Sequence, residues 1–139
     1  MEALDGGPGV HTRRYAGPAA SDADNNDKLL RALDGVPPQG RGARYRCLLV
    51  FVEPPADPKE PGGDPAASGL IVREGTFDGR IAMRPAGRGG FGYDPIFEPL
   101  TEPPGGRTVG QLSSSEKDRV SHRAVAARAM VAALRAKGY

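Results

Sequence analysis

Two short segments hold the residues best suited to chemistry. The first is Gly89-Gly90-Phe91-Gly92-Tyr93-Asp94-Pro95. Glycine on both sides of Phe91 lets the backbone approach a ligand closely and adopt positive φ. A ring set between glycines is not packed by its sequence neighbours and is suited to stacking on a flat ring. Asp94 precedes a proline, which pushes it toward an extended conformation and fixes where its carboxylate points. The same residues would also serve as an ordinary turn leading into a strand, with Phe91 in the core. A phosphate-cradling P-loop does not fit, because no Gly-Lys-Ser/Thr follows.

The second segment is Lys117-Asp118-Arg119-Val120-Ser121-His122-Arg123. On one continuous helix, Lys117 would lie roughly 140° from His122, so a straight helix would not aim both at one ligand. A break with Ser121 as the N-cap of a second helix solves this. His122 and Arg123 then fall in the first turn of that helix, and Lys117 in the turn before. Donors gathered at a helix N-terminus suit a carbonyl oxygen or a phosphate. A solvated helix with surface charges is the alternative that spacing alone leaves open.

Other polar residues carry less. Asp22, Asp24, Asn25, Asn26 and Asp27 lack the glycine and terminal glutamate of a calcium loop. Acidic residues there stabilise a first helical turn. His11 is isolated. Cys47, the single cysteine, lies in an apolar run and reads as a small buried hydrophobe.

These segments need elements to position them. Residues 5–20 are turn-rich. Ser21 reads as an N-cap in a capping box with Asp24. The helix that follows buries Leu29, Leu30 and Leu33 and ends at Gly35 and Pro37-Pro38. Residues 43–53 read as a strand, half exposed at first and buried on both faces where Leu48 to Val52 is continuously apolar. Residues 54–67, with five prolines, read as a mobile surface loop. Ser68 to Phe77 and Gly79 to Met83 read as two strands turning at Asp78-Gly79. Ile96-Phe97 is a brief strand, residues 98–110 a loop, and the chain is helical from Gln111, with Ser113 and Glu116 in capping-box spacing. No internal repeat or domain boundary is visible.

Composition bounds the class. The 139 residues hold 26 Leu, Val, Ile and Phe and a net charge of only +2, which implies a globular chain with a thin core. No apolar run approaches the ~18 residues of a membrane-spanning helix. The start shows no basic region followed by an apolar stretch, so a cytoplasmic chain is expected. Fifteen arginines are scattered without a stripe, which argues against nucleic acid as partner.

Together the motifs resemble those of the noncanonical purine nucleoside triphosphate pyrophosphatases (the inosine triphosphatase and dITP/XTP pyrophosphatase family). Four segments carry the resemblance, in the family's order. They are Ala3 to Val10 with Arg14-Tyr15-Ala16-Gly17, then Asn26 with Lys28-Leu29-Leu30, then Gly89 to Phe97, and Glu116-Lys117 with Ser121-His122-Arg123. The pair Phe-Gly-Tyr-Asp-Pro-Ile-Phe and Ser-His-Arg at this separation is highly specific, and the match spans essentially the whole chain.

The resemblance implies an α/β, elongated, two-lobed fold with a mixed central sheet, and hydrolysis of ITP, dITP and XTP to monophosphate and pyrophosphate. It implies Mg²⁺, a homodimer, and a nucleotide between the lobes. Phe91 would stack on the base, Gly92, Tyr93 and Asp94 would complete its pocket, and Lys117, His122 and Arg123 would bind the base's polar edge or its surroundings. Hypoxanthine and xanthine carry an oxygen at C6 where adenine carries an amino donor. Donor side chains would therefore accept the first two and leave adenine's donor facing a donor.

The family's acidic Asp-Asp-Ser-Gly-Leu motif, its Thr/Ser-Gly-Asn…Lys phosphate loop and its Glu-Asn-Ala segment do not occur in the chain. The expectation is thus a single domain, residues 1–139, that corresponds to the C-terminal two thirds of a member, with the N-terminal strands and helices missing. It would hold no catalytic or metal carboxylate of its own, as a fragment or a late-started reading frame. A non-catalytic nucleotide-binding or regulatory protein is the alternative.

Overall fold

A computed structural model describes residues 1–53 and 69–139. The expected proline-rich loop and Ser68 lie outside the described residues. Short 3₁₀ turns at Glu2–Leu4 and Gly9–Arg14 lead to helix α1, Asp22–Ala32. Strands β1, Gly42–Val52, and β2, Leu70–Ile81, follow. A 3₁₀ turn at Asp94–Ile96 runs into the short strand β3, Phe97–Pro99. Helices α2, Ser114–Val120, and α3, His122–Ala136, close the chain. Two compact units are present: residues 1–45 with 77–119, and residues 46–76 with 120–139.

The described strands form one sheet in the order β1-β2-β3. Strand β3 pairs antiparallel with β2, Arg80 opposite Glu98. At the ends of the β1–β2 ladder, Ile81 donates to Arg41 and Glu53 donates to Gly69, so this pair is antiparallel too. The expected mixed sheet is therefore corrected to an antiparallel one among the described residues.

Two further strand expectations are overturned. Asp78-Gly79 is not a turn, and β2 runs straight through it. Gly79 lies flat against the Phe97 ring and the Glu98 carbonyl, where a Cβ would collide. Asp78 pairs with Arg44. The glycine thus serves close approach within the sheet. Nor is β1 buried on both faces. Its exposure alternates along its whole length, with Leu48, Val50 and Val52 each more than half exposed. Cys47 faces the other side and is only half-buried.

The helix starts follow local chemistry. Ser21 Oγ accepts from the Asp24 N–H at 3.1 Å, and the Asp24 carboxylate accepts from the Ser21 N–H at 2.8 Å. That reciprocal cap satisfies two donors the helix would otherwise leave open. Ser113 and Glu116 do the same before α2. In the first unit the core gathers on Leu29, Leu33, Ile96, Phe97 and Val109, all nearly inaccessible. Phe97 is its centre, with the rings of Tyr45 at 4.7 Å and Phe77 at 5.2 Å.

Arg41 is also buried. Its guanidinium donates to the carbonyls of Leu33, Val36, Ile81 and Ala82, tying the end of α1 to the end of β2. Burial pulls its pKa below the ordinary arginine value. In the second unit Gly75 lies against the His122 carbonyl and Ala126, leaving no room for a side chain. Among the described residues no helix is long and apolar enough to cross a membrane.

Candidate functional site

The loop from Gly89 to Tyr93 has no regular structure of its own, so side-chain bonds must fix its shape. Asp94 supplies two of them from inside. Its carboxylate, nearly buried, accepts from the Phe91 N–H at 2.8 Å and is paired with the Lys117 ammonium. The Lys117 Nζ stands 4.2 Å from the centroid of the Phe91 ring, within cation–π range. Asp94 opens the 3₁₀ turn to Ile96, which corrects the extended conformation expected from the following proline. With its N–H and carboxylate both facing back into the loop, it closes a ring of bonds around Phe91.

Phe91 itself remains 56% exposed. That excludes the core reading of this residue and leaves an aromatic surface presented by a tethered loop. Tyr93 is the opposite case. Its ring is buried, and its hydroxyl donates to the Thr12 carbonyl at 2.8 Å. Burial pushes its phenol above the ordinary range, and the bond to Thr12 partly offsets this. Tyr93 therefore supports the loop rather than offering a free phenol.

Helix α1 holds the loop from the other side. The Gly92 N–H donates to the Asp22 carboxylate at 2.7 Å, and Asn26 Nδ2 donates to the Gly92 carbonyl at 3.1 Å. Gly92 has φ of 60°, a conformation glycine takes at little cost. Neighbouring Asn25 bonds to the Arg13 carbonyl and the Ala16 N–H, and Lys28 donates to the Tyr15 carbonyl at 2.6 Å. One helix thus orders both the N-terminal turns and the Phe91 loop.

The structure brings Phe91, Gly92, Tyr93, Asp94 and Lys117 together in the first unit. His122 and Arg123 belong to the second. The chain breaks at Ser121 as expected. Ser121 Oγ caps α3 by accepting from the Ala124 N–H at 3.3 Å, and His122 and Arg123 form the first turn of that helix. Arg123 is exposed and His122 half-buried.

Asp22 and Asn26 were not singled out from sequence as parts of the site. The signal was there. Asp22, Asn26, Leu29 and Leu33 fall at i, i+4, i+7 and i+11, one face of a helix, and a polar residue on a buried face needs a partner. The acidic residues of this region have partners within the protein. Asp24 caps its helix, Asp22 is bonded to Gly92, and Asp94 is bonded to Lys117. Among the described residues no three acidic, histidine or cysteine side chains converge.

The model of the Ham1 family matches residues 1–133. A dITP/XTP pyrophosphatase of Methylococcus capsulatus is 46% identical over 136 residues, covering 98% of this chain and 61% of the relative. A dITP/XTP pyrophosphatase of Geobacillus kaustophilus is 48% identical over 126 residues, covering 91% and 54%. Among solved structures, the Ham1 protein of Staphylococcus aureus superposes with a TM-score of 0.78 at 34% identity, covering 98% of this chain and 62% of that one. A nucleoside-triphosphatase, dITP/XTP pyrophosphatase, of Mycobacterium abscessus gives 0.71 at 39% identity, covering 94% and 58%. The chain therefore spans about three fifths of the length of these proteins.

Proposed function

The chain belongs to the Ham1 family, and from that premise we propose that it carries the base-recognition part of an enzyme that hydrolyses noncanonical purine nucleoside triphosphates. In that reaction water attacks the α-phosphorus of ITP, dITP or XTP, the bond to the β-phosphate oxygen breaks, and monophosphate and pyrophosphate are the products. The observation that carries the reading is the Phe91–Asp94–Lys117 cluster. It sets an exposed aromatic ring beside an ammonium held in place by a nearly buried carboxylate.

Each group has a role in discriminating a base. Phe91 offers a stacking surface. Lys117, already ordered by Asp94, is a donor suited to a C6 oxygen. His122 and Arg123 are carried in this reading as further donors for the base's polar edge or its surroundings, on the sequence resemblance alone. An adenine amino group would meet donors and stay unpaired, the arrangement that discriminates most strongly between bases.

Residues 1–139 form one domain in this reading. The enzyme works in the cytoplasm, as a homodimer, with Mg²⁺ as its divalent ion. Among the described residues no three acidic, histidine or cysteine side chains converge to hold that ion. No catalytic step is therefore assigned to them.

The test is a calorimetric titration of ITP and of ATP into the purified chain. ITP should bind more tightly by on the order of tenfold or more, and Arg123→Ala should narrow the gap. Equal affinity for the two nucleotides would overturn the reading.

A further inference from the structure

Both polar groups of one peptide residue, Gly92, are bonded to side chains of a single helix. Asp22 takes its N–H and Asn26 holds its carbonyl, from positions one turn apart on α1. This is unusual economy for a surface loop, whose backbone water would otherwise satisfy. The Asn26 side chain also carries a cost. It is buried, and among the described residues its Oδ1 has no hydrogen-bond partner. A buried acceptor left open destabilises the fold, and a leucine of similar size would remove that penalty and extend the Leu29–Leu33 stripe. Stability alone does not account for an asparagine here. What the asparagine does supply is a fixed carbonyl at Gly92, the residue directly after the exposed ring of Phe91.

We propose that Asp22 and Asn26 are positioning residues, a two-point clamp on Gly92 that sets the pose in which Phe91 meets a purine base. The Phe91 N–H is held by Asp94 and the next residue by α1. The residue is thus anchored on both sides of its own Cα while it stays more than half exposed. Loosening either anchor lets Phe91 sample orientations that do not stack, and the bound state then has to order it again. The proposal depends on the stacking role given to Phe91 above.

The experiment has a ligand arm and a ligand-free arm. In the first, ITP and inorganic tripolyphosphate are titrated into the full chain and into its Asn26→Leu, Asp22→Ala, Asp22→Asn and Phe91→Ala variants. Asn26→Leu should weaken ITP by about three- to tenfold, the equivalent of one hydrogen bond. Its Tm should not fall, and its tripolyphosphate affinity should be unchanged. Asp22→Ala should do the same more weakly, being exposed, and Asp22→Asn should restore binding because its amide oxygen still accepts. In a Phe91→Ala background Asn26→Leu should have no further effect, since clamp and ring act as one unit.

The second arm follows amide exchange at Gly92 without nucleotide, which should accelerate in Asp22→Ala while Ile96 is unaffected. If Phe91→Ala weakens ITP but neither clamp variant does, the clamp is wrong and the stacking role stands. If Phe91→Ala leaves ITP binding unchanged, the stacking role fails, and the clamp's link to the base fails with it. In that case faster exchange at Gly92 would show a structural tie only. Unchanged exchange would remove even that.

Discussion

The two units hold their chain by different means. The first, around the Phe91 loop, relies on side chains that reach backbone groups far away in sequence. Asn26 to Gly92, Tyr93 to Thr12, Arg41 to Ala82 and Thr108 to Ala86 are all of this kind. The second holds most of β1 and β2 and all of α3, and relies on small residues meeting closely, as Gly75 does with Ala126. Among the described residues, Leu48, Val50, Val52, Leu70 and Val72 on its strands are all exposed. An irregular loop has no ladder of its own, so every shape it keeps must be specified by a polar partner. A strand pair is specified by its ladder, and its side chains are free to remain uncovered.

That contrast can be broken most severely at Arg41. Arg41→Ala strips the donor from four carbonyls, three of them in buried bonds. It should cost about 3 kcal/mol or more, read as a lower urea midpoint. A loss below 1 kcal/mol would mean that polar ties do not govern the first unit. The matching change in the second unit is Gly75→Ala, which forces a Cβ against the His122 carbonyl and Ala126. Overpacking of this sort costs about 1–3 kcal/mol, and an unchanged unfolding midpoint would show that α3 is not held by close approach.

A pH series sharpens the role of local caps. The Glu116 carboxylate accepts from the Ser113 N–H and hydroxyl and is paired with Arg107, and these hold its pKa at about 2. A carboxyl depressed on folding contributes stability above its unfolded value near 4.5. That contribution is lost as pH falls through about 2. The Tm difference between wild type and Glu116→Gln should therefore be full at pH 5 and above and close by pH 2. A difference that does not change across this range would remove the cap from the account. The smallest effect is expected at Val50→Thr, among the exposed strand residues, within about 0.5 kcal/mol. A large loss would show that this residue is covered in solution.

Legibility in the sequence followed the range of the cause. The caps at Ser21, Ser113 and Ser121 were readable because cap and partner lie three residues apart. So was the grouping of Phe91 to Asp94, which is contiguous. The turn expected at Asp78-Gly79 was not found, because Gly79 answers to Phe97, a residue on another strand. The half-exposed apolar run of β1 was misread for a similar reason, since hydrophobicity marks what could be buried and not what covers it. The tie of Asn26 to Gly92 and the role of Arg41 are not legible in the sequence, because the partners lie 66 and up to 41 positions away. Only the oddity of polar groups among core positions hinted at them.

The central claim is that the Phe91 loop reads a base. The most direct test is ITP affinity in Phe91→Ala, measured beside its Tm. Loss of stacking should weaken binding by about 1–3 kcal/mol, roughly 5- to 150-fold, while Tm stays within a degree or two because the ring is exposed. ITP binding that survives Phe91→Ala undiminished would contradict the account.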